Sequence, residues 1–239
     1  MKNSIHTKSD ISTQQEKWDR IFDHSVNEQT ITLEYLTDQI KFNFLVEHNE
    51  AFSNEYVQRA VSIVVTSLMT TSVEHIGKML KACAYLKRIE KSNIPQFSNF
   101  ATAVICVPEV LLELPAPVTC KELGYLLYSE SKSDLAAEKF GENHGKLAAL
   151  LDLAAIKKED GHKKFFSSAL TAPFCHMEQR EKMELLTRLC YRIPFVQHAV
   201  ISENPEEATI VFLQEVLAPT TYKRRISNAQ EVLAFALQR

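Results

Sequence analysis

The stretch from Thr119 to Ala169 constrains the fold more than any other part of the chain, because helix starts, glycine breaks and a hairpin signal follow one another closely. Thr119 and Glu122 have the T-x-x-E spacing of a capping box, in which each side chain satisfies a backbone N–H at the head of a helix. Leu123, Leu126 and Leu127 then share one apolar face. Ser133 opens a second short helix carrying Leu135, Ala136 and Phe140, and Gly141 is placed to end it in the left-handed conformation that Gly adopts without a Cβ clash. A third helix follows from about Asn143 to Leu153, with Leu147, Leu150 and Leu151 inward. Residues 154–158 and 163–167 then pair as strands about a Glu159–His162 loop, where Gly161 supports the turn.

Three helices and a hairpin in that order are the order of a winged helix-turn-helix. The third helix places Asn143, His144 and Lys146 near its N-terminal end, where a recognition helix meets base edges. Lys157, Lys158, Lys163 and Lys164 flank the hairpin loop, where a wing touches phosphate. The competing reading is a short helical subdomain with a solvated basic hairpin.

The run Lys139-Phe140-Gly141-Glu142-Asn143-His144-Gly145-Lys146-Leu147-Ala148 leads through that hairpin to Leu170-Thr171 and a basic helix ending in Arg192-Ile193-Pro194-Phe195-Val196. It resembles the winged-helix modules in the DNA-recognition parts of type II restriction endonucleases and related restriction-system or defence-system proteins. Thr220-Thr221-Tyr222-Lys223-Arg224-Arg225, followed by Val232, Leu233, Phe235 and Ala236, is similar to the basic segment that closes such modules. The likeness covers about residues 108–239 and rests on pattern rather than an invariant motif. It departs from the modules at Ala172-Pro173, where a Gly is usual after the Leu-Thr pair. The resemblance implies sequence-selective binding of double-stranded DNA by a recognition subunit or regulator, with Lys223, Arg224 and Arg225 as backbone anchors. A nuclease subunit or a second copy of the chain is the implied protein partner.

The 239 residues carry a formal net charge of −3, so any nucleic-acid contact must be a local patch rather than a generally basic surface. Between Lys139 and Lys164 the six lysines outnumber the four acids, Glu142, Asp152, Glu159 and Asp160. Cys83, Cys106, Cys120, Cys175 and Cys190 show no C-x-x-C spacing and stand mostly among apolar neighbours, which fits a reduced cytoplasmic protein. No apolar run approaches the about 18 residues that span a bilayer. Together these features predict a mainly α protein in two parts behind a polar tail. Residues 1–15 form the tail, 16–114 a helical domain and 115–239 a winged-helix domain with further C-terminal helices, the boundary falling at Leu114 to Val118 because Pro108, Pro115 and Pro117 puncture the chain just before the module.

Chemistry is sparse. The acid-plus-lysine strand motif of magnesium nucleases has no copy, since Asp38 with Lys41 is wrongly spaced and Asp134 with Glu138-Lys139 lies on helical sequence. H-E-x-x-H and paired Cys/His spacings are absent, and Gly77, Gly124, Gly141, Gly145 and Gly161 do not form a phosphate loop. The sequence therefore predicts binding without catalysis, and no metal or cofactor. The alternatives from other classes are a helical protein-interaction module whose winged helix does not bind DNA, and a nuclease with a dispersed active site.

Overall fold

The computed structural model describes residues 8–42, 45, 52–128 and 133–238. The expectations for residues 1–7, and for Phe44 on the apolar stripe that the sequence carries from Ile31 to Val46, lie outside that set. Among the described residues the chain forms twelve α-helices and one three-stranded sheet.

Helix α1 (Lys8–Phe22) buries Trp18 and Ile21. It begins well before residue 16, so residues 8–15 are helical rather than a frayed tail. Helix α2 (Glu28–Leu36) starts at Asn27, whose side chain accepts from the Thr30 N–H. Ser53 and Ser72 do the same for α3 (Asn54–Thr70) and α4 (Val73–Ala82), each satisfying a donor that the first helical turn leaves unpaired. Trp18, Tyr35 and Phe42 stack into one aromatic group, with centroids 6.0 Å apart for Trp18–Phe42 and 5.1 Å for Tyr35–Phe42.

The β-branched run at Thr102–Cys106, which the sequence leaves open between strand and helix, is a π-helical turn leading into α5 (Val107–Leu112). Pro108 at the head of α5 cannot donate a hydrogen bond, and the wider turn ahead of it relieves the clash of its ring with preceding carbonyls. Strand β1 (Val118–Thr119) then runs into α6 (Cys120–Leu127), where the Thr119–Glu122 capping box forms in both directions.

Instead of two short helices split at Gly141, a single helix α7 spans Asp134–Leu150, capped by Ser133. Gly141 does not terminate anything; it permits a close approach. A Cβ at Gly141 would lie 2.0 Å from the Cys120 carbonyl oxygen, and one at Gly124 would lie 1.9 Å from that of Ala137. The two glycines let the backbones of α6 and α7 touch. Leu151, Asp152 and Leu153, read as helical, lie beyond the end of α7, with Asp152 at φ 61°.

Strands β2 (Ala155–Glu159) and β3 (His162–Phe166) pair antiparallel in register Ile156↔Phe165 and Glu159↔His162. Asp160 (φ 51°) and Gly161 (φ 79°) are the two residues between them, and positive φ at both positions gives the turn whose twist matches a tight hairpin. β1 pairs with the other edge of β3, giving the order β1-β3-β2. Phe165 is fully buried against Gly145 of α7, where a Cβ would come within 2.7 Å of the ring.

Five helices complete the chain: α8 (Thr171–His176), α9 (Gln179–Leu189), α10 (Pro194–Val200), α11 (Pro205–Val216) and α12 (Pro219–Ala236). Pro194, Pro205 and Pro219 each stand in a first turn, where a missing N–H costs nothing. On α9, Leu185, Leu186 and Leu189 point inward as their spacing implies, but Met183 is partly exposed. Arg188 donates to the Thr71 and Met69 carbonyls at the end of α3.

One continuous body of buried side chains runs from Trp18 to Ala236 and crosses residues 114–118. Ser167 donates to the Leu111 carbonyl, Gln197 to that of Leu36 and Tyr191 to that of Ala236. No described helix is long and apolar enough to cross a membrane.

Candidate nucleic-acid interface

The residues expected to touch nucleic acid divide into a surface group and a buried or engaged group. Helix α7 turns Ala137, Gly141, His144, Gly145 and Ala148 inward. By helical period the opposite side carries Leu135, Lys139, Glu142, Asn143 and Lys146. Asn143 and Lys146 are half-buried and border open space.

His144 is not a surface contact. It is fully buried, its ring lies 4.0 Å from that of Phe140, and its Nδ1–H donates to the Phe140 carbonyl at 2.8 Å. That bond leaves Nε2 to accept from Ser98 at 3.4 Å, so both nitrogens are used inside the protein.

Of the hairpin lysines, Lys163 is brought to the outer face of α7, and it does not stand alone. Lys163 and Lys146 both reach Glu142 Oε1 at 2.8 Å, and Lys139 reaches Oε2 at 3.5 Å. Hydrogen bonds from Lys146 and Lys163 hold the Glu142 carboxyl down at about 2, and the Glu142 bond raises the pKa of Lys163. Lys164 and Lys157 share Glu159 at 2.6 and 3.4 Å. Lys158 is exposed and makes no ion pair among the described residues. Around Glu142 the surface is thus a lattice in which lysines outnumber the carboxylate they surround, whereas Lys157, Lys164 and Glu159 form a separate group that strand alternation puts on the other face of the hairpin.

The basic segment of α12 also divides. Lys223 and Arg224 are exposed, with Arg224 donating to the Thr220 carbonyl one turn back. Arg225 is occupied by structure: its guanidinium donates to the Lys91 and Ile94 carbonyls at 2.8 and 2.9 Å, fixing the 91–94 segment against the helix. It nonetheless reaches the same cleft as Asn143 and Lys146, so three of the expected residues from distant parts of the chain do meet.

A second polar assembly has no counterpart in the sequence reading. Arg192, 8% exposed, pairs with Asp38 at 3.0 Å and Asp152 at 3.6 Å and stacks over the Tyr35 ring at 4.2 Å. Tyr35 donates to Asp152 at 3.0 Å, and Lys87 pairs with Asp38 at 2.6 Å. Burial pushes the Asp152 carboxyl up, more than Arg192 pulls it down. At Asp38 burial also raises the pKa, but Arg192 and Lys87 together outweigh it and the carboxyl ends below its usual range. Burial, followed by repulsion from Arg192, brings Lys87 down to about 8. Asp38 and Asp152 both have left-handed backbone, at φ 60° and 61°. These residues are spread from 35 to 192, so no local spacing could have revealed the group.

Among the described residues no cluster of three or more His, Cys, Asp or Glu side chains is arranged to hold a metal. No family model, curated protein or solved structure matches this chain.

Proposed function

We propose that residues 102–166 form a winged helix-turn-helix that binds double-stranded DNA through the outer face of α7 and the β2–β3 hairpin. The observation that carries this reading is the convergence of Lys146 from the helix and Lys163 from the hairpin on Glu142, which joins the helix face to one face of the hairpin in a single cationic surface. Element order supports it: a helix ending at Leu112, β1, α6, α7 and then a hairpin whose second strand is central. The helix entering the groove is the whole of α7, preceded by α6, rather than a segment beginning at Asn143. Asn143 and Lys146 face the bases or the adjacent phosphates. Lys157, Lys158, Lys163 and Lys164 take phosphates, and Lys223 and Arg224 supply a further backbone contact. His144 and the carbonyl-bound arm of Arg225 are structural. The resemblance to restriction-system modules suggests the setting, a recognition subunit or regulator that binds without cutting.

Fluorescence anisotropy over random duplexes, titrated with salt and run with magnesium present, tests the reading. The expected result is binding without cleavage. Replacing Lys163 and Lys164 by Ala should lower the magnitude of the salt slope by about 2, equally for all sequences. Asn143→Ala should change preference at one base pair by about 1–3 kcal/mol. Unaltered binding in both variants would remove this surface from the contact.

A second reading is favoured by one observation. Leu135 and Leu126 are 65% and 50% exposed, and Tyr125 is 40% exposed, at the end of the α6–α7 pair; apolar side chains grouped on a surface are a feature of protein interfaces. In that reading the module docks a protein partner, and salt-insensitive association without duplex binding would distinguish it.

A further inference from the structure

The cleft that brings Arg225 together with Asn143 and Lys146 has a composition that duplex binding does not account for. It is open, encloses about 430 Å³, and is formed by the 90–96 segment, the C-terminal half of α7 and the start of α12. Ile94, Pro95 and Leu150 line it with apolar surface; Lys91, Lys146 and Arg225 supply positive charge. Ser92, Gln96 and Asn143 add neutral groups able to donate hydrogen bonds.

The charge is only partly balanced internally. Lys146 pairs with Glu142, whereas Lys91 is exposed, and among the described residues neither it nor Arg225 has a carboxylate within ion-pair distance. Glu90 also lines the cleft; its carboxylate accepts from the Ser92 hydroxyl at 3.3 Å, and its single negative charge leaves the lining of Lys91, Lys146 and Arg225 net positive. Arg225 is half-buried, its Nε is fully buried without a hydrogen-bond partner, and burial and then Arg224 depress its proton affinity. A cation removed from water without a counter-charge is unfavourable, and an anion seated beside it would relieve that cost.

We propose that this cleft binds a phosphate-bearing small molecule of about mononucleotide size. The phosphate sits between Lys91, Lys146 and Arg225, where a charge-assisted bond from an arginine or lysine is strongest. A flat apolar group lies over Ile94 and Leu150, with the amides of Gln96 and Asn143 at its edge. The volume falls within the ordinary range of small-ligand sites. Because Asn143 and Lys146 border both this cleft and the outer face of α7, an occupied cleft changes the charge that the outer face presents.

Isothermal titration of the full chain with adenosine monophosphate, with inorganic phosphate, and separately with a short duplex tests the assignment. The nucleotide should bind in the absence of DNA, more tightly than phosphate alone. Lys91→Glu, at an exposed position, should weaken nucleotide binding about tenfold or more, the scale of one reversed charge in such a site, with an unchanged circular dichroism spectrum. Arg225→Lys, which keeps the charge but not the fork, should weaken it as well.

No heat with the nucleotide, phosphate binding as tight as the nucleotide's, or affinity indifferent to Lys91→Glu would each overturn the proposal. Heat with the duplex only, lost in Lys91→Glu, would place a backbone phosphate in the cleft and overturn the small-molecule assignment. Nucleotide binding that Lys91→Glu weakens, in a chain that ignores duplex DNA, would support this inference while sinking the duplex reading.

Discussion

Arg192 joins residues that lie far apart in the chain, and its energetics set it apart from the surface cations. Exposed pairs such as Lys78–Glu74 contribute little, because water and salt screen them. Arg192 is buried between Asp38 and Asp152, and removing one member of a buried group leaves the others uncompensated. Arg192→Met is therefore expected to destabilise the protein by about 3–5 kcal/mol, measured by chemical denaturation at neutral pH. A loss below about 1 kcal/mol, the range of surface pairs, would show that water reaches the cluster. Residue-level reading of the sequence fails here for a physical reason: Tyr35, Asp38, Asp152 and Arg192 signal nothing until the fold brings them together. It fails at His144 for a different one. The inward face of α7 is built from Gly141, Gly145 and Ala148, whose small side chains leave no hydropathy contrast by which to see that His144 lies among them.

At the scale of elements, helix starts were legible and helix interiors less so. Thr119 and Ser133 cap the helices they precede, and Asp160-Gly161 makes the hairpin turn, because caps and turns are local chemistry. Gly141 shows the limit. A glycine serves equally to end a helix in the left-handed region or to let another backbone approach, and only the partner helix decides between the two. The α6–α7 contact gives a sharp test: Gly141→Ala would press a methyl group into the Cys120 carbonyl, backbone against backbone, with no flexible side chain to yield. Overpacking of this kind costs about 1–3 kcal/mol or more. Gly77→Ala meets no atom within 4 Å and is helical, so it should be neutral or stabilising. Thermal melts of the two variants compare them directly, and equal melting temperatures would mean that the helices separate freely.

For the molecule as a whole, the continuity of the buried body through residues 114–118 has a consequence for dissection. Leu111 and Val107 belong to the same core as Leu147, Phe165 and Phe174, and Arg188 and Arg192 reach back to Thr71 and Asp38. A fragment of residues 115–239 lacks those partners and exposes the apolar surfaces that met them. It is expected to show reduced helicity and no cooperative melt by circular dichroism, whereas the intact chain unfolds in one transition; a fragment melting like the parent would establish an independent unit. The prolines before Thr119 marked a boundary in the sequence because they interrupt helices, but an interrupted helix can still lie within a shared core.

The lysine–glutamate lattice on the outer face of α7 has a last consequence, for proton traffic. Glu142 is held at about 2 by Lys146 and Lys163. A polyanion that takes those lysines strips the carboxylate of its partners and sets phosphates near it, so the pKa returns to its ordinary 4.5 or above. The complex then holds more protons than the free protein at mildly acid pH, and linkage requires association to take protons up. Duplex affinity should therefore be flat near neutrality and rise as the pH falls toward the titration of the displaced carboxyl. Glu142→Gln should lose that rise and bind more tightly at neutral pH, and binding equilibria measured in buffers of different ionisation enthalpy would count the protons. A wild-type affinity independent of pH down to about 4.5, the ordinary range of a glutamate carboxyl, would mean that Lys146 and Lys163 stay with Glu142 when the ligand arrives.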